Sequence, residues 1–237
     1  MSRKTRRNQP NTAPQVQEGR RLGRTSLLIV AVVALLLAVV AGTLLYKREP
    51  TPTALSGGRA EQSALASAHS PTLGDASAKV HVVEFLDPAC ETCATFFPLV
   101  KQVMAENPGK IHLSVRHVAF HNGSDYVVRL LEASRKQDRY WQTLEALLTS
   151  QYQWAPNHTV QPDMVGPVIA GVGLNMEQLM ADMNSPEVAQ RVEQDRNDAI
   201  VMKVTATPEY FVNGRPLPSF GEQQLLDLLS EELRSAY

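Results

Sequence analysis

Cysteine is scarce in this chain: among 237 residues there are two, Cys90 and Cys93. Two thiolates fall short of the four Cys or His ligands of a structural zinc site, so histidine would have to supply the rest. His117 and His121 are suitably close together, but 23 residues lie between Cys93 and His117, far beyond the spacing of about 12 in fingers of that type. Both histidines therefore read as packing or surface residues, with no metal ligation. Covalent haem is excluded because residue 94 is Ala, where attachment needs histidine directly after the second cysteine. Excess charge is missing too: the net charge is −1, so no global electrostatic attraction points to nucleic acid.

Charge is absent altogether from Thr25 to Tyr46, TSLLIVAVVALLLAVVAGTLLY. An apolar helix needs roughly 20 residues to cross a bilayer core, so residues 25-46 are expected to be a transmembrane anchor. Arg3, Lys4, Arg6, Arg7, Arg20, Arg21 and Arg24 precede it, against Lys47 and Arg48 immediately after. That bias puts the N-terminus in the cytoplasm and exports the remainder. A cleavable signal peptide would have a shorter apolar stretch and a small-x-small site close behind it. The expectation is thus a single-pass inner-membrane protein with its C-terminal domain in the periplasm. Residues 1-24 read as a basic, disordered cytoplasmic tail. Residues 47-77, rich in small and turn-forming residues, read as a flexible linker.

The folded part is expected over residues 78-237, about 160 residues and enough for one core. KVHVVEFL is a short β-branched run stopped by Asp87-Pro88, a buried strand. Helical spacing follows through Phe97, Val100, Val103 and Met104 until Asn107-Pro108-Gly109 ends it. IHLSVRHVAF alternates as a second strand. Helical signals then fill about 122-203, with Ser124, Asn175 and Ser185 as expected N-caps. A short strand at Glu209–Val212, an Asn213-Gly214 turn and a return strand follow. Ser219 with Glu222 is the spacing of a capping box before a last helix.

The cysteines sit where a strand passes into a helix. A structural bridge over so short a loop removes little chain entropy, whereas a redox dithiol explains the location. Unpaired N–H groups at a helix start favour a thiolate and lower the pKa of Cys90. The thiolate is both attacking species and leaving group in disulfide exchange. Cys90 would form the mixed disulfide, and Cys93, one turn further in, would resolve it. Glu84 lies in the otherwise apolar strand, where burial would raise its pKa and make it a candidate proton acceptor for Cys93. Strand alternation leaves open that Glu84 turns to solvent instead. Thr207-Pro208, ahead of the hairpin, is a place where a cis proline would present a backbone edge to a bound peptide.

Together EFLDPACETC, the long helical insert and TPEYFVNG resemble the thioredoxin-fold thiol:disulfide oxidoreductases of the DsbA-like group. The resemblance covers residues 78-237 and implies an α/β thioredoxin-like fold with a helical insertion. It also implies that Cys90 is the nucleophile, Cys93 the resolving cysteine, Glu84 the buried acid and Pro208 a cis proline beside the site. Implied partners are cysteine-containing exported proteins and a membrane redox partner that recycles the dithiol. No cofactor is implied. The chain departs from the best-known oxidases between the cysteines, with Glu91-Thr92 in place of Pro-His. A carboxylate about 6 Å away opposes the thiolate by roughly 0.7 kcal/mol, and the helix end favours it by about 0.3 to 1 kcal/mol. The two should nearly cancel, leaving Cys90 less acidic than in a strong oxidase and the couple toward the reductase or isomerase side. The rival class is a binding module, chaperone or copper carrier, using the dithiol as ligand. Met176, Met180 and Met183 would suit soft Cu(I), but methionine at helical spacing more commonly fills a core.

Overall fold

A computed structural model describes residues 57–65 and 67–237. The expected tail, apolar span and first part of the linker lie outside the described residues. Among the described residues no helix is long and apolar enough to cross a membrane.

Five strands form one mixed sheet: β1 Thr72–Gly74, β2 Val80–Leu86, β3 Ile111–His117, β4 Glu209–Val212 and β5 Arg215–Pro216, in the order β1-β3-β2-β4-β5. Around it lie α1 Gly57–Leu65, α2 Glu91–Glu106, α3 Ser124–Ser134, α4 Tyr140–Thr149, α5 Gln151–Trp154, α6 Pro162–Ile169, α7 Met176–Asp182, α8 Pro186–Val201 and α9 Glu222–Ala236. Parallel strands need a crossover, and α2 supplies it between β2 and β3. β4 runs antiparallel to β2 and sets Tyr210 directly opposite Glu84. Asn213 and Gly214, at φ 50 and 81°, make the expected turn with positive φ at both central positions.

The alternation read in the strands does not separate a wet face from a dry one, because both faces of β2 and β3 are covered. On one face Val80, Val82, Leu86, Leu113 and Val115 pack with Phe97 and Val100 of α2, Leu131 of α3 and Leu225 of α9. Truncating such a buried leucine to alanine costs about 2–5 kcal/mol. On the other face Val83, Phe85 and Phe211 meet Leu65 of α1 and Ala199 of α8, with Phe85 edge-on to Phe211 at 5.9 Å.

That second layer corrects the linker boundary at 77. α1 buries Ala64 and Leu65, and Thr72–Gly74 pairs with β3, so the ordered chain starts well before Ala78. Small residues that suggested a tether are here a helix docked through Ala64 and Leu65. Two caps also differ. Gly123, at φ 77°, is the N-cap of α3, while Ser124 is its first residue and donates its Oγ–H to Asp87. Gly221, not Ser219, precedes α9, without a side-chain cap. Asn175 and Ser185 cap α7 and α8 as expected. Of the methionine stripe only Met183 is buried; Met176 and Met180 are exposed, and Leu179 takes the core position.

Candidate active site

β2 ends in Leu86, and the chain turns through Asp87, Pro88 and Ala89 into α2. Asp87 is buried and holds this turn. Its Oδ1 accepts the Ala89 N–H at 2.8 Å. Its Oδ2 accepts the Phe120 N–H at 2.7 Å, the His121 N–H at 2.9 Å, the His121 ring nitrogen at 2.8 Å and the Ser124 hydroxyl at 3.1 Å. From the insert, Gln151 donates its amide to the carbonyls of Pro88 at 2.7 Å and Cys90 at 2.9 Å. His117 is buried against the Tyr140 hydroxyl at 2.7 Å, so both histidines find packing roles.

Cys90 is the N-cap of α2, with extended backbone and no side-chain cap. The first-turn N–H groups therefore have no competing acceptor and face its sulfur. Its pKa falls from 9.0 to about 5: the Cys93 thiol donates to the thiolate, the Thr207 hydroxyl adds a second donor, and the N–H groups of Cys93 and Thr92 add more, outweighing partial burial. As a thiol, Cys90 donates to the Thr207 carbonyl at 3.2 Å, and the buried Thr207 Oγ1 has no partner. That hydroxyl acquires one when the proton leaves. The Thr207–Pro208 peptide is cis, and Pro208 is buried.

Cys93 behaves oppositely. It is 0% exposed, and burial, its hydrogen bond to Cys90 and the negative charges of Cys90 and Glu84 push its pKa well above 9.0. Cys90, 4% exposed, is the more accessible sulfur of the two. Glu84 is 0% exposed, so the solvent-facing alternative is excluded. Burial drives its pKa up from 4.5 to about 8, against the Tyr210 hydroxyl and helped by charge on Cys90. Tyr210 donates to Glu84 Oε1 at 3.0 Å, while Oε2 is buried without a partner.

Cys90, Cys93, Glu84, Thr207 and Pro208 thus converge. Glu91 is exposed to solvent and Thr92 is half-buried. The near-cancellation expected between Glu91 and the helix end is not found. Four donors close to the sulfur outweigh one solvated carboxylate, whose field is screened by water. Sequence reasoning missed Asp87, Gln151 and Tyr210. An Asp-Pro turn straight after a buried strand signals the first. Tyr210 was reachable through the register of two strands already expected, whereas nothing local in the sequence marks Gln151.

A family model described as thioredoxin matches residues 66–230. A Na(+)/H(+) antiporter NhaA from Herminiimonas arsenicoxydans is 31% identical over 144 residues, covering 61% of this chain and 22% of that protein. The chain thus spans less than a quarter of that relative's length. Disulfide bond formation protein D of Bacillus subtilis is 28% identical over 173 residues, covering 69% of this chain and 77% of that protein. Among solved structures, a thioredoxin-like oxidoreductase from Silicibacter pomeroyi superposes with a TM-score of 0.63 at 28% identity, covering 74% of this chain and 99% of that one.

Proposed function

The chain belongs to the thioredoxin family, and from that membership and its site we propose that it exchanges disulfides with cysteines of exported proteins. The observation that carries this reading is the opposite displacement of two thiols one helical turn apart. Cys90 is held near 5 and Cys93 well above 9.0, which makes one sulfur a nucleophile and leaving group and the other a protonated reserve. As a thiol:disulfide oxidoreductase it works as follows. A substrate thiolate attacks Cys90 Sγ, the Cys90–Cys93 bond breaks, and its electron pair goes to Cys93, which takes a proton from Glu84. A second substrate thiolate attacks its partner sulfur in the mixed disulfide, and Cys90 leaves as a thiolate. The substrate is oxidised by two electrons, the protein reduced by two. In reverse, Cys90 attacks a substrate disulfide and Cys93 resolves it. The backbone beside Pro208 aligns the substrate chain in either direction.

Insulin reduction by the wild-type protein against Cys90→Ser tests the activity: turnover is expected from the first alone, and equal rates would sink the reading. The poise follows from the acidity of Cys90. A Cys90 pKa of about 5 lies between about 3.5 in DsbA and about 7 in thioredoxin. The reduction potential should accordingly fall between about −120 and −270 mV, in the isomerase range. A value at either extreme, measured against glutathione, would overturn it.

The uncharged run from Thr25 to Tyr46 and the basic residues before it support a single-pass anchor in the cytoplasmic membrane, with the catalytic domain in the periplasm. Reporter fusions after Tyr46 should be active only with an exported reporter. A membrane redox partner restores the dithiol or disulfide after each cycle. Cys93→Ala should leave exported substrates and that partner linked to Cys90, and an absence of any such adduct would count against an exchange role.

A further inference from the structure

Glu84 and Tyr210 face each other across β2 and β4 as register partners, and both side chains are 0% exposed. The Tyr210 hydroxyl donates to Oε1 at 3.0 Å, and Oε2 has no partner. The Tyr210 ring is itself fixed, stacked against Phe96 at 6.3 Å and 28°. The titratable groups acting on this carboxyl are Cys90 and Cys93 from α2, Tyr210 from β4 and Tyr140 from α4. None of them carries positive charge. Within that apolar pocket the phenol is the group that hydrogen-bonds Glu84.

We propose that Tyr210 is a positioning residue for the exchange: its hydroxyl fixes Glu84 by one oxygen, leaves the other free for a proton, and sets the pH at which Glu84 accepts the proton of Cys93. The inference rests on the reading of Glu84 as proton acceptor. In the mixed disulfide, Cys93 S–H passes its proton to Oε2 as its sulfur attacks Cys90 Sγ. The Cys90–Cys93 bond forms, the bond from Cys90 to the substrate sulfur breaks, and the substrate leaves as a thiolate carrying the electron pair. A phenol donates more strongly to a carboxylate than to a neutral acid. Tyr210 therefore favours the ionised state that burial opposes, and keeps the acceptor functional near neutral pH. The strand register assigns this donor, where a lysine or arginine would have locked the carboxylate in its charged form.

The test is Tyr210→Phe in the full chain, which keeps the ring and its stacking. With glutamate carboxyls carbon-13 labelled, infrared titration of the reduced protein follows Glu84, whose band is assigned by its loss in Glu84→Gln. The Glu84 transition should rise by about one pH unit. Resolution of a preformed mixed disulfide at pH 7 should slow about tenfold and recover as the pH is raised. The Cys90 thiolate titration should stay in place, and Tyr210→Phe should add nothing in the Glu84→Gln background. An unmoved or lowered Glu84 transition would overturn the role of Tyr210. A raised transition with an unchanged resolution rate would overturn Glu84 as acceptor, and with it the coupling to exchange, so the two failures are distinguishable.

Discussion

Two buried carboxylates lie on opposite faces of the sheet and have been treated in opposite ways by their surroundings. Glu84, on the face toward α2, has one hydrogen-bond donor and a bare Oε2, and is driven up to about 8. Asp195, on α8 and 1% exposed, takes Arg116 Nε at 2.6 Å, His69 at 2.7 Å and the His117 N–H at 2.8 Å. Burial would raise its carboxyl, but His69, Arg116 and the His117 N–H more than offset that and hold it below its ordinary value. Arg116 completes the cluster with Asp198 and the Ala64 carbonyl, which adds a polar link between α1 and α8 to their apolar packing. The difference teaches that burial alone does not mark a functional acid. A saturated carboxylate holds its proton state fixed and serves architecture, whereas an undersupplied one is left able to change charge.

The largest expected effect breaks the saturated side. Asp195→Ala leaves Arg116 Nε and the buried His117 N–H without their acceptor, while Asp198 still pairs the guanidinium, and should cost about 3 kcal/mol in chemical denaturation. Exchange activity per folded molecule should be unchanged. Replacing the pair together, Arg116→Met with Asp195→Leu, should recover the part of the loss that comes from Arg116, while the His117 N–H still lacks its acceptor. A single-variant cost below about 1 kcal/mol would remove the contrast between the two acids.

Glu84→Gln probes the undersupplied side and should go the other way. Its folded-state pKa, about 8, is raised above the ordinary 4.5. The stability associated with holding the proton is therefore fully present below about pH 4.5 and lost as pH rises through about 8. Glutamine has no such loss. Reduced wild type and variant should match near pH 4 apart from a constant offset, and the variant should gain by a few kcal/mol toward pH 9. Parallel denaturation curves across that range would mean that Glu84 is not a displaced acid.

The sequence made the strand order of events at this site readable: a β-branched run, a turn at Asp87-Pro88 and a helix start placed Cys90, Cys93 and Glu84 together, and the hairpin placed Thr207 and Pro208. What it hid was whatever depends on contact between distant segments. Gln151 reaches the cysteine loop from the insert, and α1 reads as a tether until Arg116 supplies a donor for its last turn. The influence of Glu91 was overestimated for a related reason. Local spacing gave its distance from Cys90, but not the Cys93 thiol and Thr207 hydroxyl that fold around the same sulfur.

A smaller effect sharpens the comparison within the exchange face, between Cys90 and Cys93. Reduction of the disulfide takes up two electrons, and protons in number set by which thiols are protonated. Cys93 stays protonated because its pKa is well above 9.0, while Cys90 loses its proton above about 5. The reduction potential should thus fall by about 59 mV per pH unit below pH 5 and by about 30 mV per unit between pH 5 and 8. The lowered Cys90 pKa likewise gives the reduced fold stability that is fully present above about pH 9.0 and lost as pH falls through about 5. A potential without a break near pH 5 would show that the two thiols are not held apart.

The smallest effect returns to the structural face and asks whether α8 is positioned locally or only by its ion cluster. Ser185 accepts the Val188 N–H at 3.4 Å and starts the helix that carries Asp195 and Asp198. Ser185→Ala should cost about 1 kcal/mol, and the cost should shrink in the Arg116→Met, Asp195→Leu background, where precise placement of α8 matters less. Ser219→Ala is the control: α9 begins after Gly221 without a side-chain cap, so its loss should be within about 0.5 kcal/mol. Equal losses at the two serines would show that Ser219 caps α9 after all. A Ser185 cost that persists unchanged in the repacked background would show that α8 is placed by its cap, independently of the buried charges.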